Sequence, residues 1–312
     1  MRTLVLGAGG IGGYFGGRLA EAGRDVTFLV RPGRRDQLAR DGLVIESVNG
    51  NAKVAVKTVV AEELKPGYDA ILFTCKAYDL DSAMDAIAPA VSGNAAIVPL
   101  LNGLAHFETL DARFGRDRVM GGTAQINAML RKDGVVVNGD SLHRIIFGER
   151  DKSETARAKA LAAEFVGAKC ESKLSPDIEQ ELWEKIVFLS ALAAATCLFR
   201  GNVREIMAAP GGKEAMQRLL KANTEIATKA GRPPRPPVIQ SATERLTDPE
   251  GLWSASMMRD MEAGNRVEAD HIVGWMLAKA REYGIDDAML SAAYTHLKTY
   301  EARRAAGRLP KA

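Results

Sequence analysis

Residues 5–16 read VLGAGGIGGYFG, and this stretch constrains the fold more than any other. Gly7, Gly9 and Gly12 stand at GxGxxG spacing, directly after the strand-like run RTLVLG and at the opening of a small-residue helix, GGYFGGRLAEAG. Each glycine has a mechanical task in such a strand–turn–helix unit. Gly7 permits the tight turn, Gly9 lets backbone approach a pyrophosphate, and Gly12 lets the helix lie close to the sheet. Ala8, Gly10 and Ile11 complete the loop. The free N–H groups and positive dipole end of the helix then face the anion. A glycine-rich turn with no ligand would not need three glycines at these positions. Gly16 and Gly17 continue a small-residue face suited to close helix–sheet packing.

The rest of the first half alternates β-branched runs with helical stretches, the pattern of a parallel α/β sheet. DVTFLVR, YDAILFTCK and AAIVPLLN read as strands, with LDSAMDAIAPAV as a helix between the last two. VVVNGD and HRIIFGE read as a hairpin closing the sheet, SETARAKALAAEFVGA as a helix and KCESKL as a last strand. The texture changes near Leu174. Ser175 followed by Pro176 suits a helix start. From there the pattern is helical, broken by AGRPPRPPV at 230–238, a stiff connection that no helix could cross. The expected fold is a dinucleotide-binding Rossmann-like α/β domain over residues 1–174 and an all-α domain over residues 175–312.

Composition narrows the class. Lys and Arg number 42 against 39 Asp and Glu, a net charge of +3, too balanced to suggest nucleic acid. The basic end, EARRAAGRLPKA, reads as solvated. Cys75, Cys170 and Cys197 form no CxxC, which argues for reduced thiols and a cytoplasmic location. The four histidines show no metal-ligand spacing. The uncharged stretch from Ile186 to Phe199 is shorter than the roughly 18 residues that suggest a bilayer span, so no membrane is expected. The N-terminal run reads as a strand, its apolar stretch being too short for a signal peptide.

The end of the second strand bears on the cofactor. An NAD site usually carries an acidic residue there. This chain instead has FLVRPGRR, with no acid from Val26 to Arg35. Arg31, Arg34 and Arg35 supply positive charge that suits a 2′-phosphate, which favours NADP. One or two of them are accounted for as a solvated basic turn, and Arg31 is the residue assigned to the cofactor.

LWEKIVFLSALAAATCL, at 182–198, poses a different question. A helix apolar on every side is a core helix, yet Lys185 heads it. Lys185 is either a stem lying over the core with its ammonium in water, or a cation aimed into a cleft.

Taken together, GAGGIGG, CKAYD, LLNG, LWEK and SASMMRDMEAGNRVEAD resemble the ketopantoate reductases (2-dehydropantoate 2-reductases), in the family's order and over nearly the whole chain. The resemblance implies an N-terminal domain that binds NADPH, a helical domain that closes a cleft over it, and a ketone reduced on the way to pantothenate and coenzyme A. It implies that Lys185 is the general acid and that Glu268 lies near the nicotinamide and the lysine. Glu268 is expected in the first turn of a helix that follows Gly264 and Asn265. Asn102 is implied to contact cofactor and substrate, Lys76 to approach the cofactor, and Ser256 and Asp260 to bind substrate. The residues alone would make Asn102–Gly103 a turn and Ser256 and Asp260 solvent-facing. A homodimer is implied at family level only.

The resemblance fails at one place. Asparagines that the best-known members carry after the lysine are replaced by Leu189, Ala193 and Val203, and 185, 189 and 193 share one helix face. The reaction class survives this change, and the substrate is weakened. Two alternatives stay open: reduction of another small, more apolar keto acid, and a non-catalytic NADP-binding regulator.

Overall fold

The computed structural model describes residues 1–309. The chain divides into two units, one formed by Met1–Leu101 with His106–Glu179, the other by Asn102–Ala105 with the residues from Gln180 onward.

The first unit starts at β1 (Arg2–Leu6), whose Leu4 and Val5 are completely buried. It is followed by α1 (Gly10–Glu21), β2 (Asp25–Leu29) and α2 (Pro32–Asp41). Then come β3 (Leu43–Ser47), β4 (Ala52–Val54), β5 (Lys57–Val59), β6 (Ala70–Phe73), α3 (Leu80–Ile87) and β7 (Ala96–Pro99). One sheet has the order β5-β2-β1-β6-β7, every pairing parallel. Every residue of β6 and β7 is buried, as expected for a parallel sheet covered on both faces.

After α4 (His106–Phe114), the strands β8 (Gly121–Leu130) and β9 (Val136–Gly148) form an antiparallel hairpin. VVVNGD and HRIIFGE are therefore not two strands of a hairpin. They lie in the single 13-residue strand β9, because β8 pairs with both of its ends, Val136–Asn138 and His143–Gly148, across an irregularity between Ile126 and Ala128, and Asn138 to Asp140 turn locally without reversing the chain. β9 belongs to a second sheet, running in parallel with β3 and with β10 (Glu171–Leu174), which follows α5 (Ala156–Glu164).

The glycines of α1 explain how one helix serves both sheets. A Cβ on Gly16 would stand 2.8 Å from Phe28 of the first sheet, and one on Gly17 2.7 Å from Ile45 of the second. The small-residue face is thus two faces, one for each sheet.

α6 (Ile178–Phe199) runs from the first unit into the second. The helix starts at Ile178, later than the expected Ser175–Pro176 start; Ser175 instead accepts the Asp177 N–H at 3.3 Å in a turn just before it. At 22 residues α6 is long and apolar enough to cross a membrane, but 67% of its apolar window is buried within the protein, which makes it a core helix. Around it pack α7 (Val203–Ala208), α8 (Gly212–Lys229), α9 (Pro236–Leu246), α10 (Ser256–Glu262), a π turn at Asp270–Gly274, α11 (Trp275–Tyr283) and α12 (Ala288–Ala305). Met216, Leu219, Val273, Met276 and Leu297 are completely buried in this core.

The proline-rich connection is shorter than expected, because Pro236 and Pro237 open α9. It is fixed by Glu184, only 5% exposed, which accepts from the Arg235 backbone N–H at 2.9 Å and pairs with its guanidinium. The chain's basic end is also more than solvated tail. Arg304 donates to the Gly264 carbonyl at 2.8 Å and Leu309 packs on the helical core, while the last three residues lie outside those described.

Candidate active site

In the first unit the GxGxxG loop is held from three directions. Gly7 has φ +86°, which favours glycine, and donates its N–H to the Leu29 carbonyl at 2.8 Å. Thr74, just past β6, donates its hydroxyl to the Leu6 carbonyl at 2.5 Å. A Cβ on Gly12 would collide with the Gly7 carbonyl and the Thr74 hydroxyl, and one on Gly10 would stand 2.6 Å from the Ala128 carbonyl of β8. Gly9, the N-cap of α1, is different: no atom lies within 4 Å of where its Cβ would be. The loop is closed on its inner sides and open over the helix N-terminus. That fits a dinucleotide whose pyrophosphate would rest on the amides from Gly9 to Gly12, with Ala8 and Ile11 framing them.

The three arginines separate cleanly. Arg34 is committed to the scaffold, donating to the Ala8 carbonyl at 2.9 Å, to Gln37 Oε1 at 2.7 Å and to the Gly134 carbonyl at 3.0 Å. Its burial pulls its acidity in the direction of the neutral form. Arg35 pairs with Glu63 at 3.1 Å. Neither belongs to a solvated turn, because Pro32 opens a helix here and turns both side chains onto neighbours. Arg31, the N-cap of α2, is 86% exposed beside Asp79 at 3.5 Å. Asp79 ends a short 3₁₀ turn (Ala77–Asp79) that begins just after the half-buried Lys76. The turn thereby carries Lys76 and Arg31 to the carboxyl ends of β6 and β2, where an open α/β sheet binds ligands.

In the second unit Lys185 and Glu268 interact. Burial pushes the Lys185 ammonium from an ordinary 10.5 down to about 8, and the charge of Glu268 holds it from falling further. Glu268 is itself 6% exposed. It does not lie in the first turn of a helix. It stands two residues before the π turn, because the Gly274 N–H reaches back five residues to the Ala269 carbonyl at 2.9 Å and the helix starts late. What keeps Glu268 buried is therefore its partner and surroundings, not a place in a helix's first turn.

Asn102 follows β7 by three residues and is half-buried. The next residue, Gly103, has φ +87° and lies so close to the π turn that a Cβ would stand 2.5 Å from the His271 carbonyl. The turn reading of Asn102–Gly103 thus holds, and the turn is seated against the segment that carries Glu268. Ser256 and Asp260 are half-buried at the two ends of one α10 face rather than solvent-facing. The residue before Ser256, Ala255, donates its N–H to the Thr196 hydroxyl of α6 at 3.4 Å. Ala193 and Val203, by contrast, are 1% and 0% exposed inside the helical core, so only Leu189 of the three replaced positions retains exposed surface.

Sequence reasoning missed Thr74, Thr196 and the π turn, and it read Arg34 as a ligand candidate where the structure makes it a brace. A threonine or arginine that bonds a distant carbonyl leaves no local periodicity. The π turn has a faint signal only in Gly274, isolated within a helical pattern.

Residues 3–152 match the ketopantoate reductase PanE/ApbA family, and residues 177–301 match that family's C-terminal domain. The uncharacterized oxidoreductase YkpB of Bacillus subtilis is 36% identical over 97% of this chain and 100% of its own. The crystal structure of 2-dehydropantoate 2-reductase from Geobacter metallireducens superimposes with a TM-score of 0.87 at 28% identity, covering 96% of this chain and 99% of that one. A D-mandelate dehydrogenase holding NADH and anilino(oxo)acetate shares the fold, with a TM-score of 0.86 at 20% identity over 98% of this chain and 100% of that one. With its glycine loop, its interacting lysine–glutamate pair and both family domains in order, the chain belongs to the ketopantoate reductase family of oxidoreductases, which act on a CH–OH group with a nicotinamide dinucleotide.

Proposed function

We propose that this protein reduces 2-dehydropantoate to pantoate with NADPH, in the cytoplasm, as a step towards pantothenate and coenzyme A. The observation that carries this reading is Lys185: a half-buried lysine, faced by the buried Glu268, with its acidity brought to about 8. The bound NADPH supplies the hydride to the ketone carbon. Lys185 stabilises the charge that develops on the oxygen and donates its proton there, a contribution typically of ~10² to 10⁴ in rate. Glu268 keeps the amine protonated near neutral pH. Asn102, Ser256 and Asp260 orient the keto acid. Arg31 receives the 2′-phosphate, which is why NADPH is preferred, and Gly7 to Gly12 with Lys76 hold the rest of the cofactor. Retention of the lysine–glutamate pair supports turnover over a sensor, which has no use for a proton donor. Two copies of the chain form a homodimer.

A second reading, reduction of a more apolar small keto acid, is favoured by Leu189, which presents apolar surface one turn from Lys185. A site that bonds a substrate hydroxyl rejects analogues lacking it far more strongly than an apolar one does. The deciding experiment is NADPH consumption with 2-dehydropantoate and with 2-keto acids of increasing apolar bulk, native protein beside Lys185→Ala. Turnover of 2-dehydropantoate that collapses in the variant supports the first reading. Preference for a bulky apolar acid supports the second. Tight NADPH binding with no turnover of any keto acid would leave a regulator.

A further inference from the structure

Tyr294, on α12, touches both ends of the π turn that follows Glu268. Its hydroxyl donates to Asp270 Oδ1, on the first residue, at 2.6 Å. Its ring covers Gly274, the last residue, so closely that a Cβ there would stand 2.7 Å from the ring edge. Lys298, one turn further along α12, adds two contacts of 3.1 Å to Asp270 and pairs in turn with Glu301. His271, whose charge also acts on Asp270, puts its backbone carbonyl against Gly103 in the middle of the turn.

A π turn is rare, and where it persists it often marks a functional place. Relaxed into ordinary α-helix, it would shift the register by one residue and rotate whatever precedes it by about 100° around the axis. Glu268 stands just before it, and such a rotation would carry its carboxylate away from Lys185. A side chain that grips the first and last residues at once opposes that relaxation.

We propose that Tyr294 is a positioning residue: by spanning the π turn it aims Glu268 at Lys185 and, through His271 and Gly103, seats the Asn102 turn. The inference rests on the assignment of Lys185 as proton donor. Its test has one readout that needs turnover and one that does not.

The variant is Tyr294→Phe, which keeps the ring over Gly274 and removes only the hydroxyl. In protein labelled with ¹³C at lysine Cε, with Lys185→Arg identifying the resonance, the Lys185 titration is expected to move down by about half a unit as Glu268 swings away. The kcat for keto-acid reduction is expected to fall about 10-fold while KM for NADPH stays unchanged. Gly274→Ala, which presses on the ring from the other end, should shift the titration in the same direction. An unchanged Lys185 titration and kcat in Tyr294→Phe would overturn the positioning role and leave the proton-donor assignment standing. The expected titration shift in a protein that reduces no keto acid would uphold the positioning and sink the assignment. A larger effect from Lys298→Met than from Tyr294→Phe would place the hold in the ion pair and overturn the role of the tyrosine.

Discussion

Glu268 sustains the charge on Lys185 against the burial that would remove it. The two side chains lie 83 positions apart by their residue numbers, yet the carboxylate opposes the desolvation that lowers the ammonium's pKa. The balance at about 8 leaves the amine charged at neutral pH and able to give its proton up.

The first prediction follows from that balance. With Lys185 as the proposed proton donor, keto-acid reduction would need the charged amine, so kcat/KM should be level below pH 8 and fall about tenfold per unit above it. In the oxidative direction the neutral amine is needed, and the rate should rise through the same midpoint. Glu268→Gln should move the alkaline limb to lower pH. A limb that stays in place in that variant would mean that Glu268 does not act on the reacting amine.

Stability should follow the same group. The folded value, about 8, lies below the unfolded 10.5, so between those two the unfolded chain binds more protons. Native stability should therefore climb as pH rises through that window, relative to Lys185→Met. Urea midpoints at intervals of pH would show it, and parallel curves for the two proteins would refute it.

Arg31 and Arg34 should separate function from scaffold. Arg31→Ala, at an exposed position, should raise KM for NADPH roughly 10- to 100-fold, leave NADH almost untouched and leave Tm unchanged. Arg34→Met removes the bond to the Ala8 carbonyl and should weaken NADPH and NADH alike while lowering Tm. Equal loss of both cofactors in Arg31→Ala would count against the 2′-phosphate assignment.

Gly103→Ala should be costly out of proportion to one methyl group. Its positive φ alone costs about 1–3 kcal/mol for a residue with a side chain, and the Cβ must also displace the His271 carbonyl. Loss of stability by urea unfolding should come with a rise in KM for the keto acid, since the turn carries Asn102. Gly9→Ala is the contrast: nothing surrounds its Cβ, so stability should hold while cofactor affinity drops.

Glu184, beside the proposed proton donor in sequence, should matter for a different reason. Burial alone would push its carboxyl up, but the bonds from Arg235 and Gln180 prevail and hold it below the usual range. Glu184→Gln should destabilise the fold by about 2 kcal/mol, the half-exposed Arg235 reducing the full cost of breaking a buried pair. The pH limb of the reaction should not move.

What the sequence determined by itself is local. GxGxxG spacing, alternating strands and helices, and an apolar helix headed by Lys185 each follow from short-range sterics and periodicity, and they specify the dinucleotide fold and the helical second half. The resemblance of those motifs to one family then pointed to Lys185 and Glu268. Only the tertiary structure decided the rest, because each point depends on partners distant in the chain. Arg34 and Arg35 turn from ligand candidates into braces because Ala8, Gly134 and Glu63 fold against them. VVNGDSLHRIIFG is one strand because β8 pairs with both of its ends. The π turn exists where Tyr294, 24 residues on, holds Asp270 and covers Gly274, and no local propensity encodes a grip of that kind.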